Sequence, residues 1–106
     1  MTTYIRAQMV RWESDHYPGF VECQFTDVFG RTWNIVDKVP MFTLASVWSD
    51  SQLPQPAVIA CAIVAKRQDK AGREIVEVST AKVGMEASDG TTSFELFAEQ
   101  LQDGLA

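Results

Sequence analysis

In the stretch Phe20-Val-Glu-Cys-Gln-Phe-Thr-Asp-Val-Phe-Gly-Arg-Thr-Trp-Asn-Ile-Val-Asp-Lys-Val39, apolar and polar residues alternate on both sides of a turn. Val21, Cys23 and Phe25 fall on one face of the first segment, and Trp33 and Ile35 share a face of the second. A repeat of two residues is typical of strands with one buried face. The stretch therefore predicts a β-hairpin with strands at 20–26 and 32–39.

The turn of this hairpin occurs twice in the chain, as Asp27-Val-Phe-Gly-Arg31 and as Asp69-Lys-Ala-Gly-Arg73. An aspartate at the first position accepts backbone N–H groups of the turn. A glycine at the fourth position adopts the positive φ that closes a hairpin with a bulge. The second copy therefore predicts another hairpin, between strands 59–67 and 74–80.

The rest of the chain continues the same pattern. Strands are predicted at 4–12 and, after the turn Ser88-Asp-Gly-Thr91, at 92–97, whereas 98–102 is too short for more than one or two helical turns. The apolar run Ala57–Ala65 is expected to be a central strand covered on both faces. The predicted fold is all-β and mainly antiparallel, either a small barrel or a strongly curved sheet of five to six strands. The expected core contains Val21, Phe25, Trp33, Ile35, Ile59 and Ile63.

A chain of 106 residues is expected to form a single domain, residues 1–106. Its least regular part is 40–56, a long loop flanked by prolines, in which Thr43 could cap a brief helix. Long connections often carry function, and Trp48 would then be exposed for a partner. The alternative is that this loop only covers one end of the barrel.

The start of the sequence lacks the basic and apolar regions of a signal peptide. The longest apolar run, Ala57–Ala65, is about half the length of a membrane-spanning helix. We therefore expect a cytoplasmic protein with no membrane association. Cys23 and Cys61 are expected to be buried, reduced thiols, with a disulfide or a reactive cysteine as the alternatives.

The sequence contains no motif that indicates catalysis or a cofactor. His16 is the single histidine and lies in a turn, so neither a nucleophilic triad nor a zinc site is expected. The glycines are isolated and form no phosphate-binding loop, and no pair of acids lies in an apolar setting. The chain is predicted not to be an enzyme and to bind no cofactor or metal.

Charge is distributed unevenly along the chain, whose net charge is −5. Residues 61–82 carry a net charge of +2, whereas residues 83–106 carry five acidic and no basic side chains. Such a balance disfavours nucleic acid as a partner. It favours either a solvated surface or an acidic face that steers a basic protein partner. The candidate partner-binding residues are Trp48, Asp50, Glu86, Asp89, Glu95, Glu99 and Asp103.

The chain resembles small acidic bacterial immunity proteins of contact-dependent growth inhibition and related polymorphic toxin systems. The resemblance lies in three stretches: 21–40, Leu53-Pro-Gln-Pro-Ala-Val-Ile-Ala-Cys61 and Phe94-Glu-Leu-Phe97. The resemblance implies a non-catalytic protein that binds a cognate toxin domain, in many cases a basic nuclease, and blocks its active site. The main alternative is an interaction module that binds a peptide or assembles as a homo-oligomer. A third hypothesis, that the chain is a small enzyme or an oligonucleotide-binding barrel, is supported only by analogy with other proteins of similar fold.

Overall fold

The computed structural model describes residues 2–14, 16, 19–43 and 51–105. As the sequence predicted, the fold is all-β and antiparallel, and the helical segments within those residues are short 3₁₀ turns. The strands are β1 Thr3–Ser14, β2 Phe20–Thr26, β3 Thr32–Lys38, β4 Gln55–Gln68, β5 Glu74–Ser79, β6 Ser93–Phe97 and β7 Leu101–Asp103. The 3₁₀ turns are Val39–Met41, Ala81–Val83 and Ala98–Gln100.

The sheet has the strand order β3-β2-β1-β4-β5-β6 and curls into a half-barrel. The last strand, β7, returns to β1 on the edge opposite β4: Ile5 pairs with Ile59 on one side and with Leu101 on the other. Because β7 follows β6 through a single 3₁₀ turn, the chain passes directly from β6, at one end of this order, to β1 in its middle. The right-handed twist of strands favours such curling.

Both predicted hairpins form, and their turns have the same geometry. Asp27 Oδ1 accepts the backbone N–H groups two and four residues later at 2.9 and 3.0 Å. Asp69 Oδ1 accepts the equivalent pair, both at 2.9 Å. Gly30 and Gly72 adopt φ of +81° and +82°, which side chains with a Cβ rarely tolerate. The repeated turn is therefore a structural device that fixes the register of two hairpins.

The core lies inside the curl of the sheet. Phe94 of β6 makes edge-to-face contacts with Phe25 of β2 and with Trp33 of β3, each with ring centroids 5.0 Å apart. These rings join the two ends of the strand order across the interior and stabilise the curved shape. Five of the six expected core residues are buried: Val21, Phe25, Trp33, Ile35 and Ile59.

The sixth, Ile63, is 44% exposed, so its prediction as a core residue was wrong. The neighbouring Val64 is 58% exposed, and the run Ala57–Ala65 is not covered on both faces along its whole length. Strand β4 pairs with β1 only as far as Cys61, opposite Thr3. Beyond that point β4 projects past its neighbour, and a register shift between Ile63 and Ala65 bends it.

The predicted loop 40–56 ends earlier than expected. Strand β4 begins at Gln55 and includes Pro56, so both residues belong to the strand. The N–H of Val58, two residues further along, points away from β1 and donates to the carbonyl oxygen of Phe42 at 2.8 Å. Pro56 has the same orientation, so its missing N–H costs the β1–β4 ladder nothing. The expected brief helix after Thr43, with Trp48, falls largely on 44–50, outside the described residues.

Candidate binding groove

Five of the seven predicted partner-binding residues lie in the described part of the chain, between Glu86 and Asp103. Trp48 and Asp50 lie outside the described residues. Glu86 and Asp89 are exposed around the turn that precedes β6, and Glu95 is half-buried on β6. Glu99 is exposed in the last 3₁₀ turn, and Asp103 is exposed on β7, where it accepts a hydrogen bond from Thr3 at 3.2 Å.

Three of these acids form ion pairs with arginines from distant parts of the chain. Asp89 pairs with Arg31 at 3.0 Å, Glu95 pairs with Arg67 at 2.9 Å, and Glu99 pairs with Arg73. Two of the arginines, Arg31 and Arg73, end the two repeated turns. The acidic segment is therefore not a uniform free face, since much of its charge is matched within the protein.

Hydrogen bonds hold two of these carboxylates in the ionised form. The pKa of Asp89 is lowered chiefly by hydrogen bonds from Thr91 and further by Arg31. The pKa of Glu99 is lowered by its own backbone N–H and then by Arg73. Both groups therefore stay charged at neutral pH.

A groove of about 450 Å³ lies between the first repeated turn and the strands β5 and β6. The backbone N–H of Val28 donates to the carbonyl oxygen of Glu95 at 3.0 Å, which fixes the turn against β6. We call this cavity the β6 groove. It is lined by Asp27, Phe29, Arg31, Trp33, Glu77, Ser93, Phe94 and Glu95.

One wall of the β6 groove is aromatic and held rigidly. The Trp33 indole N–H donates to Asp27 Oδ2 at 2.8 Å, and the Arg31 guanidinium lies 3.8 Å from the centre of the Trp33 ring. Phe29 stands at the tip of the turn with 71% of its surface exposed. A large ring this exposed beside a groove is typical of the apolar anchors of protein interfaces.

The other wall carries two carboxylates. Glu77 of β5 and Glu95 of β6 are directly opposite each other in the register of the sheet. Both Arg67 hydrogen bonds to Glu95 end on the same oxygen, Oε1, and Ser93 donates to Glu77 Oε2 at 3.1 Å. Like charges on facing positions destabilise a sheet, so this pair gains from an added cation.

The lining of the β6 groove has a net negative charge: it contains the three carboxylates of Asp27, Glu77 and Glu95 and the single guanidinium of Arg31. This combination of aromatic surface and carboxylates suits a lysine or arginine side chain, whose apolar stem packs on a ring while its charged end meets an acid.

Of the residues that line the β6 groove, sequence analysis named Glu95 as a partner-binding candidate but missed Phe29 and Glu77. A signal for Phe29 exists in the comparison of the two repeated turns, because Ala71 occupies the equivalent position of the second. The shared turn geometry does not require an aromatic residue there, which points to a role beyond the turn.

The described residues contain no group of three or more histidines, cysteines, aspartates or glutamates that could hold a metal ion. Cys23 and Cys61 are buried free thiols, as predicted. Burial raises the pKa of Cys23 to about 12 and that of Cys61 to about 11, so both are protonated and unreactive at neutral pH.

No protein-family model, curated protein or solved structure matches the chain. Among the described residues, no helix has the length and apolar character needed to cross a membrane.

Proposed function

We propose that this chain is an immunity-type inhibitor that binds a basic toxin domain and blocks its active site without catalysis of its own. The observation that carries the proposal is the β6 groove, whose negatively charged lining includes the exposed Phe29. The resemblance of the sequence to bacterial immunity proteins is consistent with this role.

Phe29 is expected to act as the apolar anchor of the complex. Its ring is presented by a turn whose backbone is fixed by Asp27 and by the bond to β6, so little conformational entropy is lost on binding. A partner residue that packs on this ring brings its basic end towards Glu77 and Glu95. Anchors of this kind contribute most of the binding energy of an interface.

The carboxylates are expected to steer association. Toxin domains that cleave nucleic acids have basic substrate clefts, because they must attract phosphates. A negative groove on the inhibitor increases the rate of encounter with such a cleft, and this effect weakens as salt screens the charges. Occupation of the cleft then excludes the substrate.

The proposal is tested by capture from a lysate of the source organism on the immobilised protein, followed by a growth assay. The captured basic protein is produced in a host cell, and the wild-type chain is expected to restore growth. The double variant E77Q/E95Q and the variant F29S are expected to restore it poorly. Glu13→Gln, at an exposed acid outside the groove and outside the predicted partner-binding residues, serves as the control. Full protection by both groove variants would contradict the proposal.

A further inference from the structure

Strand β4 has an open edge that the half-barrel does not use. Its pairing with β1 ends at Cys61, whereas its pairing with β5 continues from Ala62 to Gln68. Within the part of the chain that the structure describes, no strand pairs with the other edge of Ala62–Gln68. We call this segment the β4 edge. An open edge presents backbone donors and acceptors that a further strand can pair with.

The side chains of the β4 edge add apolar surface to these backbone groups. Ile63 is 44% exposed and Val64 is 58% exposed. Beside them lies a cavity of about 150 Å³, whose apolar lining includes Val76, Ala98 and Leu101. It lies at the end of β1, because Thr3 is also part of its lining. A strand that continues the line of β1 would therefore pair with β4 and place side chains over this cavity.

The charge of the β4 edge indicates which kind of strand would bind there. The segment contains Lys66 and Arg67 and no acidic residue. Arg67 is engaged with Glu95, whereas Lys66 is exposed and forms no ion pair with any described residue. An acidic side chain directly across from Lys66 would stabilise an added strand. Lys66 lines the cavity together with the carboxylates of Glu74 and Asp103. An acidic side chain therefore fits only directly across from Lys66, and an uncharged side chain fits better over the rest of the cavity.

We propose that the β4 edge binds an extended segment of a partner protein as an added strand, with an acidic residue opposite Lys66 and an apolar residue over the cavity. Recognition by strand addition draws affinity from the backbone and specificity from alternate side chains. The cavity beside the β4 edge shares no lining residue with the β6 groove, although Arg67 of the edge pairs with Glu95 of the groove.

A second copy of this chain is disfavoured as the occupant. Pairing of two β4 edges would bring two copies of Lys66 and Arg67 together, and facing like charges oppose pairing. Lysines on an edge strand are one of the features by which natural sheets prevent association with themselves. They leave an acidic strand as the complementary partner.

The test uses the full chain and two synthetic peptides of alternating valine and threonine, one with a central glutamate and one with lysine in its place. Amide NMR spectra are recorded during each titration. The acidic peptide is expected to shift the amides of Ile63, Lys66 and Gln68 and to slow their hydrogen exchange. The lysine peptide is expected to bind about fivefold more weakly. Equal binding of both peptides, or no change at these amides, would overturn the proposal.

Charge-reversal variants distinguish binding at the β4 edge from a general attraction between the protein and a charged peptide. Lys66→Glu is expected to invert the preference between the two peptides, whereas Lys70→Glu, in the adjacent turn, is expected to leave it unchanged. Circular dichroism of both variants checks that the fold is retained. Loss of preference in both variants alike would contradict the assignment, and so would concentration-dependent dimers of the wild type that disappear in V64K.

Discussion

Glu77 and Glu95 face each other on neighbouring strands at the wall of the β6 groove. Arg67 offsets part of this repulsion through Glu95 Oε1. Such an arrangement costs the free protein stability and is relieved by a cation supplied from outside, as expected of a binding surface rather than of a structural ion pair.

Replacement of Glu77 by glutamine is therefore expected to stabilise the free protein while it weakens binding. The loss of the facing like charge is worth about 0.2–1 kcal/mol, measured as an increase in the free energy of unfolding in urea. Glu86 lies on no described strand, so Glu86→Gln is expected to change the free energy of unfolding by less. A destabilised E77Q would show that Glu77 has a structural role.

The two repeated turns allow a matched comparison. Asp27→Ala removes the acceptor of the turn N–H groups and also that of the buried Trp33 indole N–H, whereas Asp69→Ala removes only the equivalent turn bonds. A buried donor left without a partner costs about 1–3 kcal/mol. The free energy of unfolding of D27A is therefore expected to fall below that of D69A by about this amount. Equal losses would mean that the indole bond contributes nothing.

Truncation along β4 tests where the core ends. Ile59 is fully buried, so Ile59→Ala is expected to cost about 2–5 kcal/mol. Ile63→Ala, at a position 44% exposed, is expected to cost less than half of that. Chemical denaturation of both variants provides the measurement. Similar losses at the two positions would contradict the projection of β4 beyond β1.

Low pH is expected to weaken the ion pairs of Asp89 with Arg31 and of Glu99 with Arg73. The carboxyl groups of Asp89 and Glu99 have pKa values below their ordinary values of 3.8 and 4.5. A depressed pKa contributes stability that is present above the ordinary value and is lost as the pH falls through the folded value. NMR titration of the Asp89 carboxyl should thus show a midpoint below 3.8. In R31Q this midpoint should rise only in part, since Thr91 provides the larger effect.

The strands were predictable because alternation and the repeated turn are local features. Strand β2 has the predicted bounds, and the buried alternation of Val21, Cys23 and Phe25 agrees with the sequence. Alternation does not reveal how far a neighbouring strand extends, and therefore Ile63 was misplaced. The short β7 was missed because its three residues form a strand only through their pairing with β1.

The β6 groove was harder to predict, since it depends on contacts between distant parts of the chain. The ion pair of Arg31 with Asp89 joins residues 58 positions apart, and the groove forms only when the first turn is placed against β6. The sequence itself shows that residues 83–106 carry the excess of acidic side chains. Pairing by arginines, which the sequence pattern does not show, determines which of its charges remain for a partner.

The central claim is that the β6 groove attracts and anchors a basic protein. The most direct test is the association rate of the captured partner, measured by stopped-flow fluorescence at low and high salt for the wild type and for E77Q/E95Q. The wild-type rate is expected to fall steeply with salt, and the variant is expected to associate more slowly at low salt and to lose most of this dependence. Equal rates and equal salt dependence for the two proteins would contradict the account.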